Sequence, residues 1–187
     1  MIFKNKKMTE QHKKTISKFL SLILRHQPEK IKLILDENGW TDVKELIEKS
    51  TKNKMKFSFE ELEIVVDTNE KKRFAFNENK TKIRASQGHS IEIDLALEPI
   101  IPPKILYHGT AEKFQDSILV NGIKKMNRQH VHLSGDIETA IKVGSRHGKV
   151  VVLTILTEKM HEDGIHFYKS ENGVWLTDFI DSKYISK

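Results

Sequence analysis

The sequence predicts an α+β protein of two units, a helical one ending in a β-hairpin and then a sheet-dominated one. Three observations carry that prediction. Up to about residue 66 the apolar residues recur at helical spacing, whereas beyond residue 104 they gather into short runs rich in β-branched side chains. Between the two patterns, Glu98-Pro-Ile-Ile-Pro-Pro103 holds three of the four prolines. Proline disfavours both helix continuation and sheet pairing, so this stretch reads as a linker. The expected division is therefore a first unit over 1–97, a linker over 98–103 and a second unit over 104–187.

The first unit opens with a helix. Ile16, Phe19, Leu20, Ile23 and Leu24 fall on one face, with Thr9 or Thr15 in position to cap it. Asn38-Gly39 breaks the chain, and Asp42 then starts a short helix through Val43, Leu46 and Ile47. Ser58 begins a third, with Glu61 completing a capping box and Leu62, Val65 and Val66 facing inward. Arg73-Phe-Ala-Phe76, a turn at Asn77–Lys80 and Lys82-Ile-Arg84 read as a hairpin. Three short helices followed by a hairpin predict a winged-helix arrangement, a scaffold that by itself fixes no function.

In the second unit Ile105-Leu-Tyr107, Val131-His-Leu133 and above all Val150–Leu156 read as strands, separated by helical segments near 112–120 and 136–143. Ile165–Tyr168 and Val174-Trp-Leu176 flank the turn Ser170-Glu-Asn-Gly173, a second hairpin.

Composition narrows the function classes. Hydrophobic residues make up 37% and charged residues 31%, the balance of a globular protein rather than a disordered one. The formal net charge of +6 favours a polyanionic partner, because each neutralised phosphate releases condensed counterions. With no cysteine, disulfides and thiolate metal sites are excluded. MIFKNKKMTEQHKK at the N-terminus is basic without an apolar run behind it, and no stretch approaches the ~20 apolar residues of a membrane span. A cytoplasmic protein with no membrane association is the expectation, and a monomer the simplest assembly.

Several short segments carry residues suited to chemistry. Arg25-His26 ends the first helix, where a cation pair complements the helix dipole, worth about 0.3–1 kcal/mol. The same pair suits a phosphate, since a guanidinium fork matches two phosphate oxygens. Arg73 and Arg84 lie on the two arms of the hairpin, and Gln87-Gly88-His89-Ser90 follows it with polar groups around a flexible glycine. His108-Gly109-Thr110 ends a strand, where glycine admits a ligand close to the backbone. His130 and His132 alternate, so a strand through both would turn both imidazoles to one face. No acidic residue or cysteine stands at a matching ligand distance, so no metal is expected. Neither a nucleotide-binding glycine loop nor a catalytic-triad pattern is present.

Taken in order, Leu20–His26, Asp36–Trp40, Lys72–Phe74, Ile83–Ser90, Leu106–Thr110, Arg128–Ser134 and Ser170–Thr177 resemble the motifs of the RNA (tRNA) 2′-phosphotransferases. The seven segments run in family order across nearly the whole chain, while residues 1–12 match none and are expected as a tail. The resemblance implies a winged-helix lobe followed by an ADP-ribosyltransferase-like, β-rich lobe. It implies a two-step, NAD-consuming reaction of tRNA processing and splicing. An internal RNA 2′-phosphate displaces nicotinamide from NAD, and the ribose 2″-hydroxyl of the ADP-ribosylated phosphate then attacks phosphorus. Products are 2′-hydroxyl RNA and ADP-ribose 1″,2″-cyclic phosphate.

By motif, the resemblance places the catalytic set on Arg25, His26, Arg73 and Arg128, in a cleft between lobes. His108, Gly109, Thr110, His132, Ser134 and the turn Asn172, Gly173, Val174, Trp175 fall on its NAD-binding positions, with Arg146 as a further ligand contact or a helix-end cation. Arg84, Gln87, His89 and Ser90 fall on RNA- or phosphate-binding positions. Val174 stands where many ADP-ribosyltransferases carry a glutamate, which suits a nucleophile that is already anionic. Lys72 departs from the family's usual glutamine. Two other functions fit the same features: ADP-ribosylation of other phosphorylated nucleic-acid acceptors, and RNA binding by the winged helix without catalysis.

Overall fold

A computed structural model describes residues 8–186 of the chain, so residues 1–7 of the expected tail lie outside the described residues. Two compact units divide it, Met1–Leu95 and Ala96–Lys187. The proline stretch 98–103, expected as a linker, falls within the second unit. There Pro102 is buried, the Ile100 N–H donates to the Phe167 carbonyl at 2.8 Å, and the Thr157 hydroxyl donates to the Pro103 carbonyl. Proline forbids helix and ladder, yet an extended segment still buries its ring and offers its carbonyls as acceptors.

In the first unit, α1 (Glu10–Arg25) starts at Thr9, whose hydroxyl accepts from the His12 N–H at 3.2 Å. Thr15 instead donates back to the Gln11 carbonyl. Ile16, Leu20, Ile23 and Leu24 are fully buried, each worth roughly 1.5–3 kcal/mol of apolar transfer. β1 (Thr41–Asp42) leads into α2 (Val43–Lys52), capped by the Asp42 carboxylate on the Glu45 N–H at 2.9 Å. α3 (Phe59–Asp67) carries the capping box, both reciprocal bonds between Ser58 and Glu61 being formed. β2 (Phe74–Phe76) and β3 (Lys82–Ala85) form the expected antiparallel hairpin, with Phe74 opposite Ala85 and Phe76 opposite Ile83. β1 pairs along the other edge of β3, giving the order β1-β3-β2. The three helices and this sheet enclose one core around Leu20, Leu46, Leu62 and Ile83.

The second unit contains β4 (Leu106–Ala111), α4 (Gln115–Asn121), β5 (Ile123–Lys124), β6 (Val131–Leu133) and α5 (Ile137–Gly144). It continues with β7 (Val150–Ile155), α6 (Thr157–Glu162), β8 (Tyr168–Lys169), β9 (Trp175–Thr177), β10 (Phe179–Ile180) and β11 (Ile185–Ser186). The strands form the orders β11-β7-β4, β6-β9-β8 and β10-β5. A bridge joins the first two, Tyr107 and Ser134 exchanging backbone hydrogen bonds of 2.9 and 2.8 Å. Leu106, Leu133, Leu153, Ile155, Met160 and Phe167 fill the core. No helix among the described residues is long and apolar enough to cross a membrane.

One crossing fixes the geometry of β4. A Cβ on Gly109 would stand 1.8 Å from the Ala140 carbonyl oxygen of α5, and one on Gly144 would stand 2.7 Å from the Gly109 carbonyl carbon. Gly109 was expected to make room for a ligand. The space beside it is taken by α5, and the glycine pair lets helix and strand backbones touch.

Candidate active site

In the first unit, side chains far apart in sequence meet at the C-terminal end of α1. Arg25 is its last residue and His26 its cap. The Arg25 guanidinium donates to the Arg73 carbonyl at 3.3 Å and lies over the Phe74 ring, 5.9 Å from its centroid. The segment after β3 closes on it. Gly88 has φ +85°, a left-handed conformation suited to glycine, and a Cβ there would lie 3.6 Å from an Arg25 terminal nitrogen. The Ser90 N–H then donates to the Arg25 carbonyl at 2.9 Å, and the Ser90 hydroxyl meets His26 Nδ1 at 2.9 Å. Arg25, His26, Arg73 and Ser90 are thus tied together by bonds that include two main-chain carbonyls, with Gly88 packed close to the guanidinium.

Arg84 and Gln87 belong to the same strand and its exit. Arg84 stacks over the Trp40 indole at 4.5 Å, so the aromatic that follows the Asn38-Gly39 break positions a guanidinium. Sequence spacing gave no sign of that pairing. Gln87 is half-buried. His89, expected as a polar contact for phosphate or RNA, is instead 1% exposed, and both ring nitrogens lack a hydrogen-bond partner among the described residues. Burial first, and then the charges of Arg25, His26 and Arg84, push its pKa down from 6.5 to about 4. His89 is neutral at physiological pH, lying beneath the cationic cluster rather than adding a charge to it. Lys72, the departure from the family pattern, takes a left-handed φ of +41°, and its carbonyl accepts from the Ser86 hydroxyl at 2.9 Å. That bond ties the entrance of β2 to the exit of β3.

In the second unit a different group assembles on neighbouring strands. His108 on β4 meets His132 on β6 directly, and Arg128 meets His132 in turn. His108 Nδ1 lies 3.2 Å from the His132 carbonyl, and an Arg128 terminal nitrogen lies 3.3 Å from His132 Nδ1. Elimination assigns the protons. A carbonyl only accepts, so His108 carries hydrogen on Nδ1 and turns an accepting Nε2 elsewhere. Arginine only donates, so His132 accepts at Nδ1 and carries hydrogen on Nε2. Burial, with a smaller contribution from Arg128, keeps the His108 pKa below its ordinary value, opposed by the bond to the His132 carbonyl.

Ser134 follows β6 and forms the bridge to Tyr107, while Thr110 is buried on β4. Leu133 faces Trp175 across the β6–β9 ladder, bringing the Asn172–Trp175 turn beside β6. Within that turn the Ser170 hydroxyl bonds the Asn172 side chain at 2.6 Å and the Val174 carbonyl at 3.1 Å, and Val174 is half-buried. Arg128 is exposed, and so is Arg146, in the single turn Ser145–His147 after α5. The expected common face of His130 and His132 does not form. β6 begins only at Val131, and the His130 ring lies against Tyr168, with centroids 5.8 Å apart.

The chain matches the family described as RNA 2′-phosphotransferase, Tpt1 / KptA family, over residues 11–179. Among curated proteins it is 61% identical to a probable RNA 2′-phosphotransferase of Flavobacterium johnsoniae, covering 95% of this chain and 98% of that protein. It is 60% identical to a protein of the same description from Fusobacterium nucleatum, covering 91% and 96%. A third, from Nostoc punctiforme, is 51% identical over 96% of this chain and 99% of its own length. On a match spanning nearly all of the chain, the protein belongs to the RNA 2′-phosphotransferase, Tpt1 / KptA family.

Proposed function

We propose that this enzyme removes an internal 2′-phosphate from a tRNA-like RNA with NAD as consumed co-substrate. The path runs through an ADP-ribosylated RNA 2′-phosphate to 2′-hydroxyl RNA, nicotinamide and ADP-ribose 1″,2″-cyclic phosphate. The observation that carries the reading is the cationic end of α1 in the first unit, where the Arg73 main-chain carbonyl holds the Arg25 guanidinium and the Ser90 hydroxyl holds His26. A guanidinium held by a carbonyl and an aromatic face loses little further freedom on gripping an oxyanion. Three helices with the β1-β3-β2 sheet support a winged-helix reading of this unit, and the bridged antiparallel sheets support an ADP-ribosyltransferase-like reading of the other.

Each residue has a role that follows from its chemistry. Arg25, Arg73 and Arg128 stay charged at any working pH and offset negative charge as it builds on the phosphate. His26, whose Nδ1 faces the Ser90 hydroxyl, is the group that takes or gives a proton. When bound, NAD supplies a ribose carbon with nicotinamide as leaving group and neighbouring hydroxyls. In the second unit His108, with Nδ1 turned to the His132 carbonyl, keeps an accepting Nε2 that fits a hydroxyl of such a group. Val174 brings no carboxylate, and a phosphate dianion needs no base to become a nucleophile.

The test is nicotinamide release. The protein with NAD should liberate nicotinamide in the presence of RNA bearing a 2′-phosphate and not with the same RNA bearing a 2′-hydroxyl. His26→Ala should still release nicotinamide while ADP-ribosylated RNA accumulates; unchanged second-stage turnover in that variant would remove His26 from the proton-transfer role.

A further inference from the structure

A groove of about 640 Å³ runs along the first unit between the polar side of α1 and the loop that joins α3 to β2. Lys13, Lys14, Lys18, Lys71 and Arg73 line it, against the carboxylates of Glu10 and Glu70. Glu10 is paired with Lys13 at 2.6 Å, which leaves the groove strongly cationic. Ser17, Ser21, Thr68 and Asn69 supply hydroxyl and amide groups along its floor. The Asn69 amide reaches the Ser17 hydroxyl at 3.4 Å, and the Ser21 hydroxyl donates to the Ser17 carbonyl at 2.8 Å.

The helix sets the direction of this groove. At 3.6 residues per turn, Lys14, Ser17, Lys18, Ser21 and Arg25 fall within about 100° of one another around α1. From Lys14 to Arg25 the stripe extends roughly 16 Å at the helical rise. Its far end is the cluster assigned to the 2′-phosphate, and Arg73 belongs to both. Lys14 and Lys18 are exposed, one turn apart, with no part in the core. A cationic channel floored by small hydroxyls, leading to a phosphate site, is complementary to a sugar–phosphate backbone rather than to base edges.

We infer that this groove holds the backbone of the RNA flanking the 2′-phosphorylated nucleotide, with Lys14 and Lys18 contacting its phosphates independently of sequence. The inference rests on the reaction proposed above and adds to it the part of the substrate beyond the reacting nucleotide. It makes the enzyme's affinity depend on RNA length, while its chemistry does not.

The experiment compares a 20-nucleotide RNA carrying one internal 2′-phosphate with a trinucleotide carrying the same group. Binding is followed by fluorescence anisotropy and turnover by nicotinamide release, for the wild type, the Lys14→Glu/Lys18→Glu double variant and Lys14→Arg/Lys18→Arg. The charge-reversed protein should bind the 20-mer at least tenfold more weakly. Its log–log salt dependence should be shallower by about 1.4, the loss of two phosphate contacts on a single strand. Binding and turnover of the trinucleotide should stay within twofold of wild type, which also shows that the variant is folded, and the arginine variant should bind the 20-mer like wild type. Equal losses on both RNAs, or no loss on the 20-mer, would overturn the inference. Binding as expected with no turnover of either RNA by the wild type would leave the groove in place and sink the proposed reaction instead.

Discussion

Acid should destabilise this protein through His89 in a way that a single substitution can isolate. In the folded chain its pKa is pushed from 6.5 to about 4 by burial and by the adjacent charges of Arg25, His26 and Arg84. Above pH 6.5 the ring is neutral in both the folded and the unfolded chain, so it contributes no pH dependence there. Between pH 6.5 and about 4 only the unfolded chain takes up the proton, so stability falls as the pH drops through that window and levels off below it. Each pH unit of that gap is worth 1.36 kcal/mol, so the full effect is roughly 3 kcal/mol. The assay is urea denaturation at pH 7, 5.5 and 4 of the wild type and His89→Leu. Other histidines, including His108 and His130, titrate in both proteins and cancel in the difference. Wild type minus variant should shift by roughly 3 kcal/mol between pH 7 and 4. NMR titration of the folded wild type should show the His89 ring still neutral at pH 5. Adding a phosphate anion should move that midpoint upward, since the anion offsets the neighbouring cations. A midpoint near 6.5, or parallel pH profiles for the two proteins, would refute the reasoning.

Other outcomes follow from the packing and the proposed chemistry. Gly109→Ala should cost about 3 kcal/mol or more in denaturant unfolding, because its Cβ would be driven onto the Ala140 carbonyl at 1.8 Å. Gly135→Ala, with nothing within 4 Å of the added carbon, should stay within about 0.5 kcal/mol of wild type. Ser58→Ala removes half of the capping box and should lower stability by about 1 kcal/mol, a shift of roughly 2–4 °C in Tm. Arg128→Ala should reduce kcat/KM by about 10²–10³-fold with the circular dichroism spectrum unchanged, because the side chain is exposed and its partner is His132.

The parts of the fold that were legible in the sequence are those governed by local rules. Apolar spacing placed α1, α2 and α3, and their caps at Thr9, Asp42 and Ser58 follow from side-chain oxygens one position before each helix. The hairpin of β2 and β3 was readable from its turn and its alternation. The two-residue strands β1, β5, β10 and β11 were not, because two residues carry no period and their pairing is decided by distant partners. α6 was missed for a related reason: its N-cap is Leu156, with no side-chain hydrogen bond, so it begins without a capping signal directly after β7.

In the candidate site, residue types were readable but surroundings were not. The sequence offered Gly109 and His89 as ligand contacts, yet nothing in the tripeptide around Gly109 reveals that α5 crosses it some 30 residues later. Nor does the Gln87–Ser90 segment show that its histidine folds inward while its serine meets His26. The pairing of Arg84 with Trp40, and of Arg25 with Phe74, likewise depends on contacts across the fold.

The most direct measurement of the central claim follows the phosphate. RNA labelled with ³²P at one internal 2′-phosphate is incubated with the protein and NAD, and the fate of the label is resolved chromatographically. All released label should appear as ADP-ribose 1″,2″-cyclic phosphate, in equal molar amount to the nicotinamide formed and to the RNA 2′-hydroxyl exposed. Label recovered as inorganic phosphate, or RNA left intact by a folded sample with NAD in excess, would contradict the account.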